Sequence, residues 1–130
     1  MEGFACRLLV VDDYETWRDF ARSIFKDKPG FQVIAEVSDG PQAVEKAKEL
    51  QPDVILLDIG LPTMNGIDAA RQIREVSSKS KILFLSQESS PDIVQEALNT
   101  GAAGYVLKTN ANRELFLAVD RLVQDGTMQG

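Results

Sequence analysis

The feature that most constrains this chain is a beat: short apolar runs alternate, along nearly its whole length, with segments of helical period. Arg7 to Val11 is the first run. Tyr14 to Lys28 follows, with Trp17, Phe20, Ala21, Ile24 and Phe25 at the i, i+3, i+4, i+7 and i+8 positions that share one helix face. Pro29-Gly30 stops that helix. Phe31 to Val37 reads as a strand, and Ser38-Asp39-Gly40-Pro41 opens a second helix, with Pro41 where its missing N–H costs little. Ala43, Val44, Ala47 and Leu50 line that helix before Gln51-Pro52 ends it. Val54 to Asp58 is an apolar run closing on a carboxylate, and the turn-rich Gly60 to Gly66 leads to a helix carrying Ala70 and Ile73. The beat then repeats. Lys81 to Ser86 and Gly104 to Lys108 read as strands, and Pro91 to Asn99 reads as a helix ending at Gly101. Asn112 to Gln124 reads as a final helix with Leu115, Phe116, Val119, Leu122 and Val123 on one side.

Strands joined by helices run parallel, because each crossover carries the chain back to its starting side. The most uniformly apolar runs, at Leu8 and Val54, belong in the middle with both faces covered, whereas Gln32 and Glu36 put the second strand at an edge. The expected architecture is therefore α/β: a doubly wound, five-stranded parallel sheet in the order 2-1-3-4-5, flanked by five helices. A chain of 130 residues closes one such core, so residues 1–124 read as a single domain and 125–130 as a C-terminal tail or the start of a linker.

Composition removes several chemistries. With no histidine there is no Ser-His-Asp triad and no imidazole metal site, and one cysteine, Cys6, allows neither an internal disulfide nor a multi-thiolate centre. The apolar runs are too short to span a bilayer, and Glu2 followed by Asp12-Asp13 fits neither a signal nor a transit peptide. A cytoplasmic location without membrane contact is the expectation. The net charge of -6 repels a phosphate backbone, so these residues should make no direct nucleic-acid contact. Acidity of this kind suits a hard divalent cation.

In a sheet of this order, ligands bind at the carboxyl ends of the strands, where the order reverses between the first and third. Strand 1 ends in Asp12-Asp13, strand 3 in Asp58, strand 4 in Ser86 and strand 5 in Lys108. Alone, each is an ordinary cap, turn hydroxyl or solvated ammonium. Together they are three carboxylates, a hydroxyl and an ammonium at one rim. Carboxylates so placed repel one another unless a cation intervenes. Mg²⁺ suits them, since it prefers oxygen ligands and keeps several waters. With the metal on Asp13 and Asp58, Asp58 can act as a nucleophile toward a phosphoryl group. The equatorial oxygens of that group want cationic or donor partners, which Mg²⁺, Lys108 and the Ser86 hydroxyl would supply.

With these residues in view, the chain resembles the receiver domains of two-component response regulators, which share the flavodoxin-like fold. The likeness runs from Arg7 to about Gln124. It is carried by Val10-Val11-Asp12-Asp13, by Asp58 within Val54 to Gly66, by Ser86, and by Gly101-Ala102-Ala103-Gly104-Tyr105-Val106-Leu107-Lys108. The resemblance implies that Asp58 is the phosphoacceptor, that Asp13 ligates Mg²⁺ directly and Asp12 mostly through water, and that the Gly60 carbonyl adds a ligand. It implies that Ser86 grips the phosphoryl group, that Lys108 pairs with it, and that Tyr105 is a switch aromatic. Tyr105 would report to the face formed by the fourth helix, fifth strand and fifth helix. The donor would be a sensor histidine kinase or a small acyl phosphate, and a homodimer on phosphorylation is admitted.

Two departures stand out. Thr109 follows Lys108 where many receivers have proline with a cis bond, and Gln87 follows Ser86 where a small residue is commoner. The stretches Asn65 to Ala70 and Gly101 to Lys108 look like those of receivers that precede a helix-turn-helix transcription effector. A stand-alone receiver, or an interaction module independent of phosphorylation, are the alternatives. Readings from other classes fare worse. An aspartate-nucleophile phosphohydrolase usually needs an acidic residue two places after the nucleophile, and that place is Gly60. A nucleotide- or flavin-binding domain needs a phosphate loop after strand 1, where Asp12-Asp13 would repel phosphate.

Overall fold

The five apolar runs become strands β1 (Cys6–Val11), β2 (Phe31–Val37), β3 (Val54–Leu57), β4 (Lys81–Ser86) and β5 (Gly104–Leu107). Between them lie α1 (Glu15–Phe25), α2 (Gly40–Leu50), α3 (Gly66–Val76) and α4 (Pro91–Leu98), and α5 (Ala111–Gln129) closes the chain. The structure is a computed structural model that describes the backbone of residues 6–129 and the side chains of residues 6–125. All strand pairs are parallel, in the order β2-β1-β3-β4-β5. This is the order that the alternation predicts, with β1 and β3 central and β2 at an edge.

Alternation along the central strands divides the core in two. Leu9, Val11, Ile55, Leu57, Ile82 and Phe84 point to the face covered by α2, α3 and α4, meeting Ala43, Ala47, Ile67, Ala70, Ile73 and Ala97. Leu8, Val10, Val54, Leu56, Leu83 and Leu85 point to the other, meeting Ala21 and Phe25 of α1 and Leu115 and Val119 of α5. Each large aliphatic side chain buried this way contributes about 1.5–3 kcal/mol. That two-sided burial holds the sheet rigid and fixes the ends of its strands in space.

The helix ends follow local chemistry. Asp39 caps α2, its Oδ1 accepting from the Gln42 N–H at 2.8 Å, with Pro41 in the first turn. Gln51 then terminates that helix in the left-handed region at φ 48°. Asn65 caps α3 by accepting from the Asp68 N–H at 2.9 Å. Several boundaries shift by a residue or more from the sequence reading. α1 stops at Phe25, because Lys28 N–H turns back to the Phe25 carbonyl at 3.1 Å ahead of Gly30 at φ 87°. α5 continues to Gln129, past Gln124. The glycine at 126 weakens a helix by about 1 kcal/mol relative to alanine but does not break it as proline would. Lys108, read as the last residue of a strand, instead opens a single 3₁₀ turn, Lys108–Asn110, that hands β5 over to α5.

Candidate functional site

The carboxyl ends of β1, β3, β4 and β5 converge on one cleft. Hydrogen bonds pin its floor: Asp12 N–H donates to the Val37 carbonyl and Asp58 N–H to the Val11 carbonyl, both at 3.1 Å. The ladder thus continues one residue past each strand and delivers both carboxylates at the same height. Asp12, Asp58, Ser86 and Lys108 are at most 6% exposed, although all four are polar or charged. Such burial is costly unless each group is partnered.

Most of the partners are visible. Asp12 Oδ1 accepts from the Tyr14 N–H at 3.0 Å, and its Oδ2 meets the Lys108 ammonium at 2.8 Å. Asp58 Oδ1 accepts from the Ile59 N–H at 2.9 Å, while its Oδ2 lies 3.4 Å from Lys108 Nζ. Burial holds the Asp58 carboxyl above the usual carboxylate range; the neighbouring Asp12 charge adds to this, and Lys108 and the Ile59 N–H oppose it. Asp13 is the exception. Its Oδ1 is buried and has no hydrogen-bond partner.

Oxygens of Asp12, Asp13 and Asp58 all lie within 4.8 Å of one another. Three carboxylates against one ammonium leave two formal negative charges in a shielded place. An all-oxygen donor set, an orphaned carboxylate oxygen and that charge deficit together fit a hard divalent cation. The cluster could hold such an ion.

Beside the acidic group, a cleft of about 260 Å³ is lined by Tyr14, Asp58, Ile59, Gly60, Ser86, Gln87, Glu88 and Lys108. Gly60 has open space where a Cβ would stand, so its backbone borders the cleft without obstruction. Gly66 is the reverse. A Cβ there would collide with the Asp58 carbonyl, and the Gly66 N–H donates to the Ile59 carbonyl at 2.8 Å. That glycine lets the start of α3 press directly on the turn carrying Asp58. At the far wall, Ser86 Oγ accepts from the Glu88 N–H at 3.2 Å, and the Tyr105 hydroxyl donates to the Glu88 carbonyl at 2.7 Å. Tyr105 is half-buried against Phe84, and burial pushes its hydroxyl pKa up, with the Ser86 hydroxyl working against that shift. All seven residues singled out in the sequence thus border this rim or, like Tyr105, touch the loop that does. The Lys108–Thr109 bond is trans, since no cis peptide occurs among the described residues.

Residues 8–120 match the family model described as the response regulator receiver domain. The chain belongs to the response regulator receiver family. It is 36% identical over 120 residues to the transcriptional regulatory protein DegU of Brevibacillus brevis, covering 92% of this chain and 51% of that protein. It is 40% identical over 105 residues to the chemotaxis protein CheY of Thermotoga maritima, covering 78% of this chain and 84% of that one. This receiver therefore spans about half the length of the DegU relative and most of the CheY relative. Among solved structures, the receiver domain of the response regulator NarL from Mycobacterium tuberculosis superposes with a TM-score of 0.85 at 33% identity, covering 92% of this chain and 96% of that one. A LuxR-family response regulator from Aurantimonas sp. SI85-9A1 gives 0.87 at 31% identity, covering 92% of this chain and 86% of that one.

Sequence reasoning left several residues of the receiver's site unnoticed. Trp17 reads from periodicity as an ordinary core position, yet its ring lies beneath Lys108 Nζ, 4.8 Å from the centroid. Arg18 donates from its guanidinium to the Asp12 carbonyl at 2.8 Å. Tyr14 is 61% exposed at the cleft edge. The signal available was position: all three lie within six residues of Asp12, where the chain is still at the strand-end face.

Proposed function

We propose that this receiver is a phosphoacceptor switch in which Asp58 takes a phosphoryl group in a Mg²⁺-dependent reaction. The observation that carries this is the cluster of Asp12, Asp13 and Asp58, in which Asp13 Oδ1 is buried without a hydrogen-bond partner and Lys108 engages the other two. Asp13, Asp58 and the Gly60 carbonyl would hold the ion, with Asp12 helping mostly through water. When bound, Mg²⁺ supplies the positive charge that lets an anionic phosphoryl group approach an anionic nucleophile.

Every other part is the chain's own. Asp58 Oδ1 is held by the Ile59 N–H, which leaves Oδ2 beside Lys108 as the nucleophilic oxygen. Lys108 leaves its contact with Asp12 to neutralise one phosphoryl oxygen. Ser86 donates to another and, in doing so, draws its loop toward Asp58. Because the Ser86 hydroxyl holds the Glu88 N–H and Tyr105 holds the Glu88 carbonyl, movement of that loop changes what Tyr105 is tied to. The readout is the face formed by α4, β5 and α5. Apart from this transfer onto itself and its reversal, the domain has no substrate to turn over.

The donor we assign is a sensor histidine kinase or a small acyl phosphate, and phosphorylation-driven pairing of two copies through the readout face belongs to the same proposal. The output is transcriptional control exerted by a segment other than these residues, in keeping with the DegU relative. Residues 1–124 hold the receiver unit on this reading, and 125–130, which carry α5 on as far as Gln129, lead toward that segment. A net charge of -6, made more negative by roughly one to two on phosphorylation, keeps the domain itself off DNA. The coverage of the CheY relative favours a second reading, a receiver acting alone through protein contacts. Among the described residues no helix is long and apolar enough to cross a membrane, and a cytoplasmic location is part of the proposal.

Intact mass after incubation with acetyl phosphate tests the central claim. One phosphoryl group is expected with Mg²⁺, none with EDTA, and none on Asp58→Asn. Efficient labelling without metal, or unchanged labelling of the variant, would overturn the assignment.

A further inference from the structure

An ammonium has three N–H groups, and the surroundings of Lys108 account for each side of it. Asp12 Oδ2 stands at 2.8 Å and Asp58 Oδ2 at 3.4 Å. The remaining side faces the ring of Trp17, with Nζ 4.8 Å from its centroid. Trp17 lies in the first turn of α1, and Phe20 packs edge-on against it at 5.3 Å and 76°, which fixes the plane of the indole. Lys108 is 5% exposed, so bulk water does little to screen the attraction between the charge and the negative face of the ring.

We infer that Trp17 is a positioning residue for Lys108: its ring face holds the ammonium at the point from which it reaches Asp12, Asp58 and, on the function proposed above, a phosphoryl group on Asp58. A core position on α1 needs only bulk, as Ala21 and Phe25 show by lying fully buried among apolar neighbours. Trp17 is only partly buried and meets a cation on its face. A flexible four-carbon stem would otherwise let Lys108 settle fully on Asp12 and leave the nucleophile without its cation. The ring offers a third attraction that is independent of either carboxylate and persists when a ligand takes one of them. The step is one of placement alone, with no bond made or broken at Trp17.

Trp17 is the only tryptophan in the chain, so its emission reads the position of that charge. The kinetic consequence rests on the proposed function, whereas the spectral one does not. In metal-free buffer, Lys108→Met keeps most of the stem's bulk and removes the charge, and the emission of Trp17 should shift in intensity and maximum relative to wild type. An unchanged spectrum overturns the inference. Acyl-phosphate labelling of Asp58 at saturating Mg²⁺ is then compared in wild type, Trp17→Phe and Trp17→Leu, with urea midpoints measured alongside. The expected order is wild type, then Phe, then Leu, with Leu slower by on the order of tenfold. Equal rates for Phe and Leu overturn the inference, because bulk alone would then set the position of Lys108. If the Leu variant does not fold, the Lys108→Met spectrum decides. A wild-type chain that takes no phosphoryl group would instead sink the proposed function and leave the spectral test standing.

Discussion

Lys108 stands closer to Asp12 than to Asp58, at 2.8 Å against 3.4 Å. The cation expected to serve the nucleophile is thus engaged chiefly by a carboxylate of the acidic cluster. A divalent ion arriving there competes with it for Asp12. Lys108→Met should accordingly tighten Mg²⁺ binding, by about tenfold, because charges at roughly 4 Å interact by several kcal/mol even at an effective dielectric near 20. Labelling of Asp58 should nevertheless fall. Titration calorimetry alongside mass measurement checks this, and weaker Mg²⁺ binding in the variant would mean that Lys108 organises the carboxylates rather than competing for them.

Asp58 is held above the usual carboxylate range mainly by burial, so its ionised form works against folding. The sign is definite. Between the ordinary value of 3.8 and the raised folded value, the native state binds more protons than the unfolded chain, so stability falls as pH rises through that window. Above it the loss is complete. Asp58→Asn should therefore be more stable than wild type at neutral pH in metal-free buffer, the difference vanishing below the ordinary carboxylate value. Urea midpoints against pH would show it, and Mg²⁺ should narrow the gap by stabilising wild type alone. A less stable variant at neutral pH would mean that attraction to Lys108 outweighs burial.

Much of this was legible in the sequence, because the signals were local or topological. Continuous apolar runs at Leu8 and Val54 marked central strands, and a 2-1-3-4-5 order places Asp12, Asp58, Ser86 and Lys108 at one rim without any knowledge of side-chain angles. What stayed hidden depends on distances that periodicity does not encode. Trp17 fits its helical face as well as Phe20 does, and nothing in spacing says that a lysine 91 positions later will sit on its ring. The bond from Tyr105 to the Glu88 carbonyl is equally invisible, since a backbone acceptor leaves no trace in residue identity. The last helix reads only to Gln124, one residue past Val123, its last apolar face position, whereas α5 runs on to Gln129.

Gly66 sits against the Asp58 carbonyl with no room for a side chain. Gly66→Ala should therefore destabilise the domain by about 1–3 kcal/mol, the usual cost of forcing a methyl group into filled space. It should also slow labelling of Asp58 by more than the loss of folded protein explains, because the turn that aims the carboxylate must shift. Urea unfolding and labelling rates per folded molecule separate these effects. A variant as stable as wild type would mean that the β3–α3 loop yields freely and does not aim Asp58.

Gln87 is exposed on the wall of the cleft that also holds Asp58 and Ser86. It follows Ser86 directly, so any inward movement of the Ser86 loop carries its amide toward the phosphoryl group. Hydrolysis needs a water in line with the bond to Asp58, and a misplacement of about 1 Å can cost roughly a hundredfold in rate. A long side chain with both a donor and an acceptor can hold that water elsewhere, which a small residue cannot do. Gln87→Ala should then shorten the lifetime of the aspartyl phosphate severalfold while leaving the fold intact, as an exposed position allows. The decay of phosphorylated protein after removal of donor, followed by mass, measures it. An equal or longer lifetime would show that the amide points into solvent and takes no part in turnover.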